Sequence, residues 1–213
     1  MSVGINESWN ALPEGARIAL EQQWEGLAAR GLPCGSCIVN GRGEVMSRGR
    51  NRVYESASGI QPLERTRIAH AELNALAGVD TEADWADLTL FTTAHPCSMC
   101  AAALAFTGVG RVVYVADDPS DDSTPDQIAA TRGGVSYHRL GSIEWAIIAT
   151  VMFLYVGVEL RGEADANLRM AAEQNPALGA LVLAEVESGA LGRAARTGAP
   201  IAEAFSHIWE LLA

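Results

Sequence analysis

Two cysteines in this sequence have a spacing that suits metal chemistry. Cys97 and Cys100 follow Pro96 at the predicted start of an alanine-rich helix. At positions i and i+3 of a helix both sulfurs point to the same side, and the positive end of the helix dipole favours thiolates there. Thiolates bind Zn²⁺ well, but two ligands do not make a site. The same spacing also fits a redox pair or an ordinary helix start.

A histidine upstream supplies a third candidate ligand. His70 lies 27 residues before Cys97, and Glu72 follows at a spacing that makes it awkward as a ligand to the same metal. One histidine and two cysteines leave one position of a tetrahedron open, as in catalytic zinc sites. That position takes a water whose pKa the metal lowers. A carboxylate close by can then carry the proton of that water to a leaving group.

The order of these residues matches a known signature. His-x-Glu followed by Pro-Cys-x-x-Cys is typical of zinc-dependent deaminases, and it stands here at residues 70–72 and 96–100. On these motifs the chain resembles the cytidine deaminase-like superfamily, and within it the branch of guanine, cytosine and tRNA adenosine deaminases. The resemblance runs from about residue 32 to 118. It implies Zn²⁺ held by His70, Cys97 and Cys100, with Glu72 as the catalytic proton carrier.

The resemblance also implies substrate contacts. Residues 49–51, Gly-Arg-Asn, match an element in which the asparagine holds the base, so that role falls to Asn51. Ala71, between the histidine and the glutamate, would offer its backbone N–H. Asp118 is the closest match to an acidic residue that often helps to select the substrate. Relatives carry glutamate before Pro-Cys where this chain has His95, which could touch the substrate or hold the loop before the helix.

The surrounding pattern predicts the elements that must position these residues. Helical spacing, β-branched runs and glycine stops indicate the following order: a helix within 11–30, a hairpin turning at 41–43, a helix over 66–78, a strand over 87–93, a helix over 96–107 and a strand over 111–117. Strands joined by helical crossovers predict an α/β fold. The resemblance makes it a three-layer α/β/α sandwich of cytidine deaminase-like type.

The composition changes beyond the motifs. From Gly141 onward the chain reads as apolar, alanine-rich helices, broken near Pro176 and near 198–200. We therefore predict a deaminase domain over 1–140 and a helical C-terminal extension over 141–213, which packs on the domain or on a dimer interface. The apolar window at 145–158 is 14 residues long, shorter than a bilayer span, and is predicted to be core or interface.

The bulk composition narrows the class of protein. Of the 213 residues, 49% are hydrophobic and 19% charged, which is typical of a folded globular chain. The formal charge of −11 argues against general attraction to phosphate backbones. The first residues lack the cationic start and apolar run of a signal peptide. A cytoplasmic protein without membrane contact is expected.

A second Cys-x-x-Cys, formed by Cys34 and Cys37, raises the alternative of a four-cysteine structural zinc site. Three residues apart on a strand, these cysteines would point to opposite faces and lie about 10 Å apart, too far for one ion or a disulfide. They are predicted to be small core residues. A break of the strand at Gly35 would leave a metal or redox role open.

Three arginines alternate along the second hairpin strand. Arg48, Arg50 and Arg52 would share one face of the strand, with Asn51 on the other. A solvated strand face is the commoner explanation of such a pattern, and contact with phosphate or with an acidic partner is the alternative.

These observations predict a zinc-dependent hydrolytic deaminase. Its expected substrate is a free nucleobase, nucleoside or related small heterocycle, guanine- or cytosine-like, which loses an exocyclic amine as ammonia. Deamination of adenosine in tRNA is the alternative, disfavoured by the negative charge. A catalytically idle zinc-binding scaffold is an alternative of another class. The resemblance implies a homodimer.

Overall fold

One mixed sheet forms the centre of the structure. The computed structural model describes residues 3–56, 58–118, 134–162 and 165–212. Within those ranges the strands are β1 (Gly35–Val39), β2 (Val45–Arg50), β3 (Thr89–Ala94), β4 (Arg111–Ala116) and β5 (Ser136–Arg139). They lie in the order β2-β1-β3-β4-β5. β1 is antiparallel to β2 and β3, whereas β3, β4 and β5 are parallel to one another.

Helices precede, connect and follow the strands. In the described part of the chain they are α1 (Ile5–Ala11), α2 (Glu14–Ala28), α3 (Ala71–Ala77), α4 (Ser98–Thr107), α5 (Ile143–Arg161), α6 (Ala166–Gln174), α7 (Pro176–Ser188), α8 (Ala190–Arg196), α9 (Ile201–Ala204) and α10 (Ser206–Leu212). A short 3₁₀ turn at Trp85–Asp87 leads into β3.

Alternating strand residues build two apolar layers around the sheet. Ile38, Leu90 and Val112 are buried on the face covered by α3 and α4, where Leu76 and Leu104 meet them. The opposite face is covered by α2 and α5, which pack against β1 and β4 respectively. The protein is therefore a three-layer α/β/α sandwich, as the sequence predicts.

The C-terminal helices share a core with the N-terminal ones. One apolar cluster joins side chains of α1 and α2 to side chains of α5 through α10, with Trp145, Phe205 and Ile208 fully buried in it. Helix α5 is long and apolar enough to cross a membrane, but 67% of its apolar window is buried inside the fold. This is the core helix that the sequence predicts. The division of the chain at residue 140 stays a prediction.

The observed boundaries differ from the predicted ones in ways that concern the motifs. The helix predicted over 66–78 begins only at Ala71, because His70 is its extended N-cap residue. The helix predicted from Pro96 begins at Ser98, with Cys97 as its N-cap, so Pro96 lies before the helix and not at its first position. The two N-cap residues, His70 and Cys97, are both predicted zinc ligands.

Other differences lie outside the motifs. The helix predicted within 11–30 is α2 alone, preceded by the separate helix α1. Strand β5 was not predicted. Most of the polar loop predicted at 117–126 lies outside the described residues.

Candidate metal centre and active site

Two short helices start at the candidate metal centre. His70 is the N-cap of α3, and its carbonyl oxygen accepts a hydrogen bond from Asn74 N at 3.0 Å. Cys97 is the N-cap of α4, and its carbonyl oxygen accepts from Ala101 N at 2.8 Å. Cys100 lies in the first turn of α4, so both sulfurs point towards His70. The structure thus brings all three predicted ligands together.

The ligand atoms have the separation that zinc requires. Zinc–sulfur and zinc–nitrogen bonds of about 2.3 Å and about 2.0–2.1 Å place the corners of a tetrahedron about 3.5–3.8 Å apart. His70 Nδ1 lies 3.7 Å from Cys97 Sγ and 3.6 Å from Cys100 Sγ. All three ligand atoms lie within 4.8 Å of one another. The side chains therefore fit a tetrahedral ion with one further position.

The pKa values of the three candidate ligands shift in different directions. A hydrogen bond from Cys100 and the neighbouring His70 lower the pKa of the Cys97 thiol to about 4, against burial. The same hydrogen bond, together with burial and the charge of Glu72, raises the pKa of Cys100. The pKa of His70 is raised, first by its hydrogen bond with Cys97. The Cys97 thiol therefore ionises readily and is suited to bind a cation, whereas binding through Cys100 and His70 requires each of them to lose a proton.

Glu72 points its carboxylate at the metal centre from the first turn of α3. The side chain is 6% exposed, Oε2 lies 3.5 Å from Cys100 Sγ, and Oε1 lies 3.3 Å from the Thr92 hydroxyl. Burial is the largest cause that raises the pKa of this carboxyl group. A carboxylate beside the ligands, with its affinity for protons increased by burial, is suited to proton transfer.

The predicted base-holding residue lies directly after β2. Asn51 is 2% exposed; its backbone N–H donates to Cys34 O at 3.0 Å, and its Oδ1 accepts from Val53 N at 3.1 Å. The next residue is tied to the chain before His70, because Arg52 N donates to Ala69 O at 2.9 Å. Asn51 is thereby fixed relative to the metal centre. Ala71 is buried at the first position of α3.

His95 is placed against aromatic side chains. Its backbone N–H donates to Ala116 O at 2.8 Å, and its ring, 8% exposed, meets the Tyr114 ring edge-on at a centroid distance of 4.8 Å. Tyr137 of β5 lies on the same side, with a centroid distance of 6.1 Å. These contacts hold the loop before α4, and a role in substrate binding stays a prediction.

Asp118 lies at the end of the described chain beyond β4, half-buried. It lines a cavity of about 370 Å³ between the carboxyl end of β4 and the helices α5 to α7. Burial raises the pKa of the Cys34 thiol, and the charges of Glu72 and Asp118 raise it further. Cys34, which precedes β1, therefore lies close to the active site, whereas Cys37 is buried in the sheet. Among the described residues neither belongs to a metal-binding cluster.

Two of the three alternating arginines form ion pairs within the chain, which is neither of the two predicted explanations. Strand β2 ends at Arg50, whose guanidinium pairs with Glu55 at 2.7 Å and Glu25 at 3.3 Å. Arg52 is buried and pairs with Glu64 at 3.2 Å and Glu55 at 3.4 Å. The interpretation of Arg52 as part of an exposed strand face is wrong, because loop carboxylates neutralise it inside the fold.

Two hydroxyl residues of the site were missed in the sequence. Ser36 in β1 and Thr92 in β3 are register partners across the sheet, and their hydroxyls are 3.0 Å apart. Both are fully buried. A buried serine or threonine on a β-branched strand has no motif of its own, so only the pairing of the strands identifies the contact with Glu72.

Comparison with known proteins gives the family. Residues 12–116 match the model of the cytidine and deoxycytidylate deaminase zinc-binding region. The match includes His70, Cys97 and Cys100, the residues positioned to hold a metal. The matched residues, just under half of the chain, form a zinc-binding region of the cytidine deaminase-like superfamily.

Individual relatives differ in their substrates. The chain is 34% identical to a cytosine deaminase of Candida albicans over 102 residues, 47% of this chain and 63% of the relative. It is 32% identical to a tRNA-specific adenosine deaminase of Streptococcus pyogenes over 103 residues, 47% of this chain and 59% of the relative. In both cases the match covers less than two thirds of the relative.

A solved structure extends the similarity in three dimensions. A protein crystallised in complex with 2,6-diaminopurine superposes with a TM-score of 0.53 and 26% identity, over 68% of this chain and 82% of that chain. The similarity therefore covers more of this chain than either sequence match.

Proposed function

We propose that this protein is a zinc-dependent hydrolytic deaminase that releases ammonia from the exocyclic amine of a free nucleobase, a nucleoside or a related small heterocycle. The observation that carries the proposal is the position of Glu72. Its buried carboxylate lies 3.5 Å from the sulfur of Cys100, beside three metal ligands and not among them. A structural zinc site does not need a carboxylate that transfers protons, whereas a hydrolytic zinc site does.

The residues divide the chemistry between them. His70, Cys97 and Cys100 would hold the ion, which when bound supplies the Lewis acidity that makes water a nucleophile near neutral pH. Glu72 takes one proton from the attacking water and gives it to the ring nitrogen. It then takes the second proton, from the oxygen that has added to the ring carbon, and gives it to the amino group, which departs as ammonia. Burial raises the pKa of this carboxyl group and so increases its affinity for the protons that it carries.

The ring is oriented by groups around the centre. We propose that the Asn51 amide and the Ala71 backbone N–H hold the ring. Two facts support Asn51: its side chain is buried, and its position is fixed to the segment that precedes His70. We propose that Asp118, at the edge of the cavity beneath the C-terminal helices, takes part in selecting the substrate. His95 would act through the shape of the loop before α4, since its ring packs on Tyr114.

A small heterocycle is favoured over tRNA by charge. The formal charge is −11, and carboxylates of the chain itself neutralise both Arg50 and Arg52. Phosphate binding depends on cations that are free to displace counterions. The structural relative bound to 2,6-diaminopurine and the cytosine deaminase of Candida albicans support an aminopurine or aminopyrimidine. The tRNA-specific relative keeps adenosine in tRNA as the second candidate.

The test is ammonia release from a panel of substrates by the zinc-loaded protein. The panel contains purines, pyrimidines, nucleosides, triazines and a tRNA with an adenosine in its anticodon. Turnover of a small heterocycle supports the proposal. Turnover of tRNA alone, with binding that weakens steeply as salt rises, supports the second candidate. Zinc binding without ammonia from any compound would leave the idle scaffold.

The assembly and location of the enzyme are also proposals. We propose that the enzyme is a homodimer, as the family resemblance implies, and that it acts in the cytoplasm. Sedimentation equilibrium on the zinc-loaded full chain measures the oligomeric state. A mass of one chain across the concentration range would contradict the dimer.

A further inference from the structure

A line of two buried hydroxyls ends on the carboxylate of Glu72. Ser36 Oγ donates to Thr92 Oγ1 at 3.0 Å, and Thr92 Oγ1 donates to Glu72 Oε1 at 3.3 Å. Ser36 is 0% exposed and Thr92 1% exposed, so solvent cannot replace either bond. Ser36 and Thr92 are register partners in the pairing of β1 with β3, and this pairing fixes their hydroxyl oxygens relative to each other.

The direction of these bonds follows from counting protons. A hydroxyl has one proton to donate and lone pairs to accept with. Ser36 gives its proton to Thr92, which leaves the Thr92 proton for either Glu72 Oε1 at 3.3 Å or Gly35 O at 3.5 Å. An ionised carboxylate is the stronger acceptor and the nearer one. The hydroxyl protons of Ser36 and Thr92 therefore both point along the line towards Glu72.

The hydrogen bond from Thr92 differs from the other contacts of Glu72. The Cys100 thiol faces Oε2, and the carboxylate also accepts from its own backbone N–H. Within the described residues, Thr92 is the side chain that donates to Oε1. The carboxylate can turn about its last bond, and a donor on one oxygen stops that rotation.

We propose that Thr92 is a positioning residue for the deamination: its hydroxyl, oriented by Ser36, fixes the plane of the Glu72 carboxylate so that the other oxygen faces the reacting groups. The inference rests on the proposed function of Glu72. Thr92 does not touch substrate or metal ligands itself. Loss of its hydroxyl is therefore expected to slow proton transfer and to leave substrate affinity unchanged.

Thr92→Ser and Thr92→Ala form the decisive pair, because both remove the γ-methyl group and only serine keeps the hydroxyl. With the best substrate of the panel, Thr92→Ala lowers kcat by about 10- to 100-fold, the loss expected for one hydrogen bond to a charged group. KM stays within about twofold, and zinc content stays at wild-type level. Thr92→Ser restores kcat to within about threefold of wild type. Thr107→Ala, whose hydroxyl donates to Ala103 O at the far end of α4, is the matched control.

Equal kcat values for the serine and alanine variants would overturn the proposal. A rise in KM without a fall in kcat would also overturn it, since that result indicates substrate contact. Crystal structures of the zinc-loaded wild type and Thr92→Ala separate this inference from the proposed function. They are expected to show the Glu72 carboxylate turned away from Cys100 in the variant, even if no substrate is found. An unmoved carboxylate contradicts the positioning role, whereas failure of the whole panel contradicts the proposed function alone.

Discussion

The carboxylate of Glu72 lies 3.5 Å from the sulfur of Cys100, although the two residues come from different helices. Helices α3 and α4 both begin at the site, with His70 and Cys97 as their N-cap residues. Glu72 lies in the first turn of α3 and Cys100 in the first turn of α4, so the two helix starts bring these side chains next to each other. This meeting of two helix starts places a proton acceptor beside the metal ligands without making it a ligand.

The role of Asn51 in holding the ring is tested by Asn51→Ala. The side chain is buried beside the site, so removing its amide is expected to raise KM by about 10- to 100-fold, the value of one or two lost hydrogen bonds. Steady-state kinetics with the best substrate measure the change. Asn6→Ala, at an exposed position of α1, is the control. An unchanged KM in Asn51→Ala would remove Asn51 from the substrate site.

The assignment of the metal ligands is tested by Cys97→Ala. Losing one of three protein ligands is expected to reduce bound zinc from about one ion per chain to near zero after dialysis. Elemental analysis measures zinc directly. Cys37→Ala, which removes a buried cysteine of β1 outside the cluster, keeps its zinc. Full zinc occupancy in Cys97→Ala would refute the assignment.

The glycine of the Gly-Arg-Asn element has a packing role. A Cβ at Gly49 would collide with the Ala71 carbonyl oxygen and lie 2.5 Å from Ala75 N, so β2 approaches α3 only without a side chain there. Gly49→Ala is expected to lower the free energy of unfolding by about 1–3 kcal/mol or more. Urea denaturation measures the loss. Gly141→Ala, with nothing within 4 Å of the added carbon, changes stability little. Equal stabilities of the two variants would contradict the close approach.

The loop after Asn51 depends on one carboxylate. Backbone N–H groups, first that of Ser58, lower the pKa of Glu64 from 4.5 to about 2. A folded-state pKa below the unfolded one stabilises the protein above the unfolded pKa, and this contribution is lost as pH falls through the folded pKa. Glu64→Gln is therefore less stable than wild type at pH 7, and the difference shrinks between about pH 4.5 and about pH 2. Denaturant unfolding of both proteins across this window measures it; a difference independent of pH would show that the carboxylate charge is not involved.

The site was predictable because its signal is a set of residue types at fixed spacing. His70, Glu72, Cys97 and Cys100 stand in an order that few other sites share. The structure brings these residues together, and the sheet and covering helices around them are those that the pattern predicts. The caps were misplaced by a few residues, since helix periodicity does not show which residue has left the helical conformation.

What the sequence missed depends on long-range pairing. The bond from Thr92 to Glu72 follows from the pairing of β1 with β3, and the burial of Arg52 follows from carboxylates 3 and 12 residues further on. Strand β5 has four residues, of which three are exposed, so it lacks the apolar alternation that marks a strand. These features arise from contacts between segments and not from local residue preference.

The role of Glu72 as proton carrier is tested by Glu72→Gln, an isosteric change that removes the proton acceptor. We expect a protein with wild-type zinc content in which kcat for ammonia release falls by about 100- to 10,000-fold, the contribution of general acid–base catalysis. Glu82→Gln, at an exposed position outside the site, keeps wild-type kcat. Wild-type turnover by zinc-loaded Glu72→Gln would contradict proton transfer by this carboxylate.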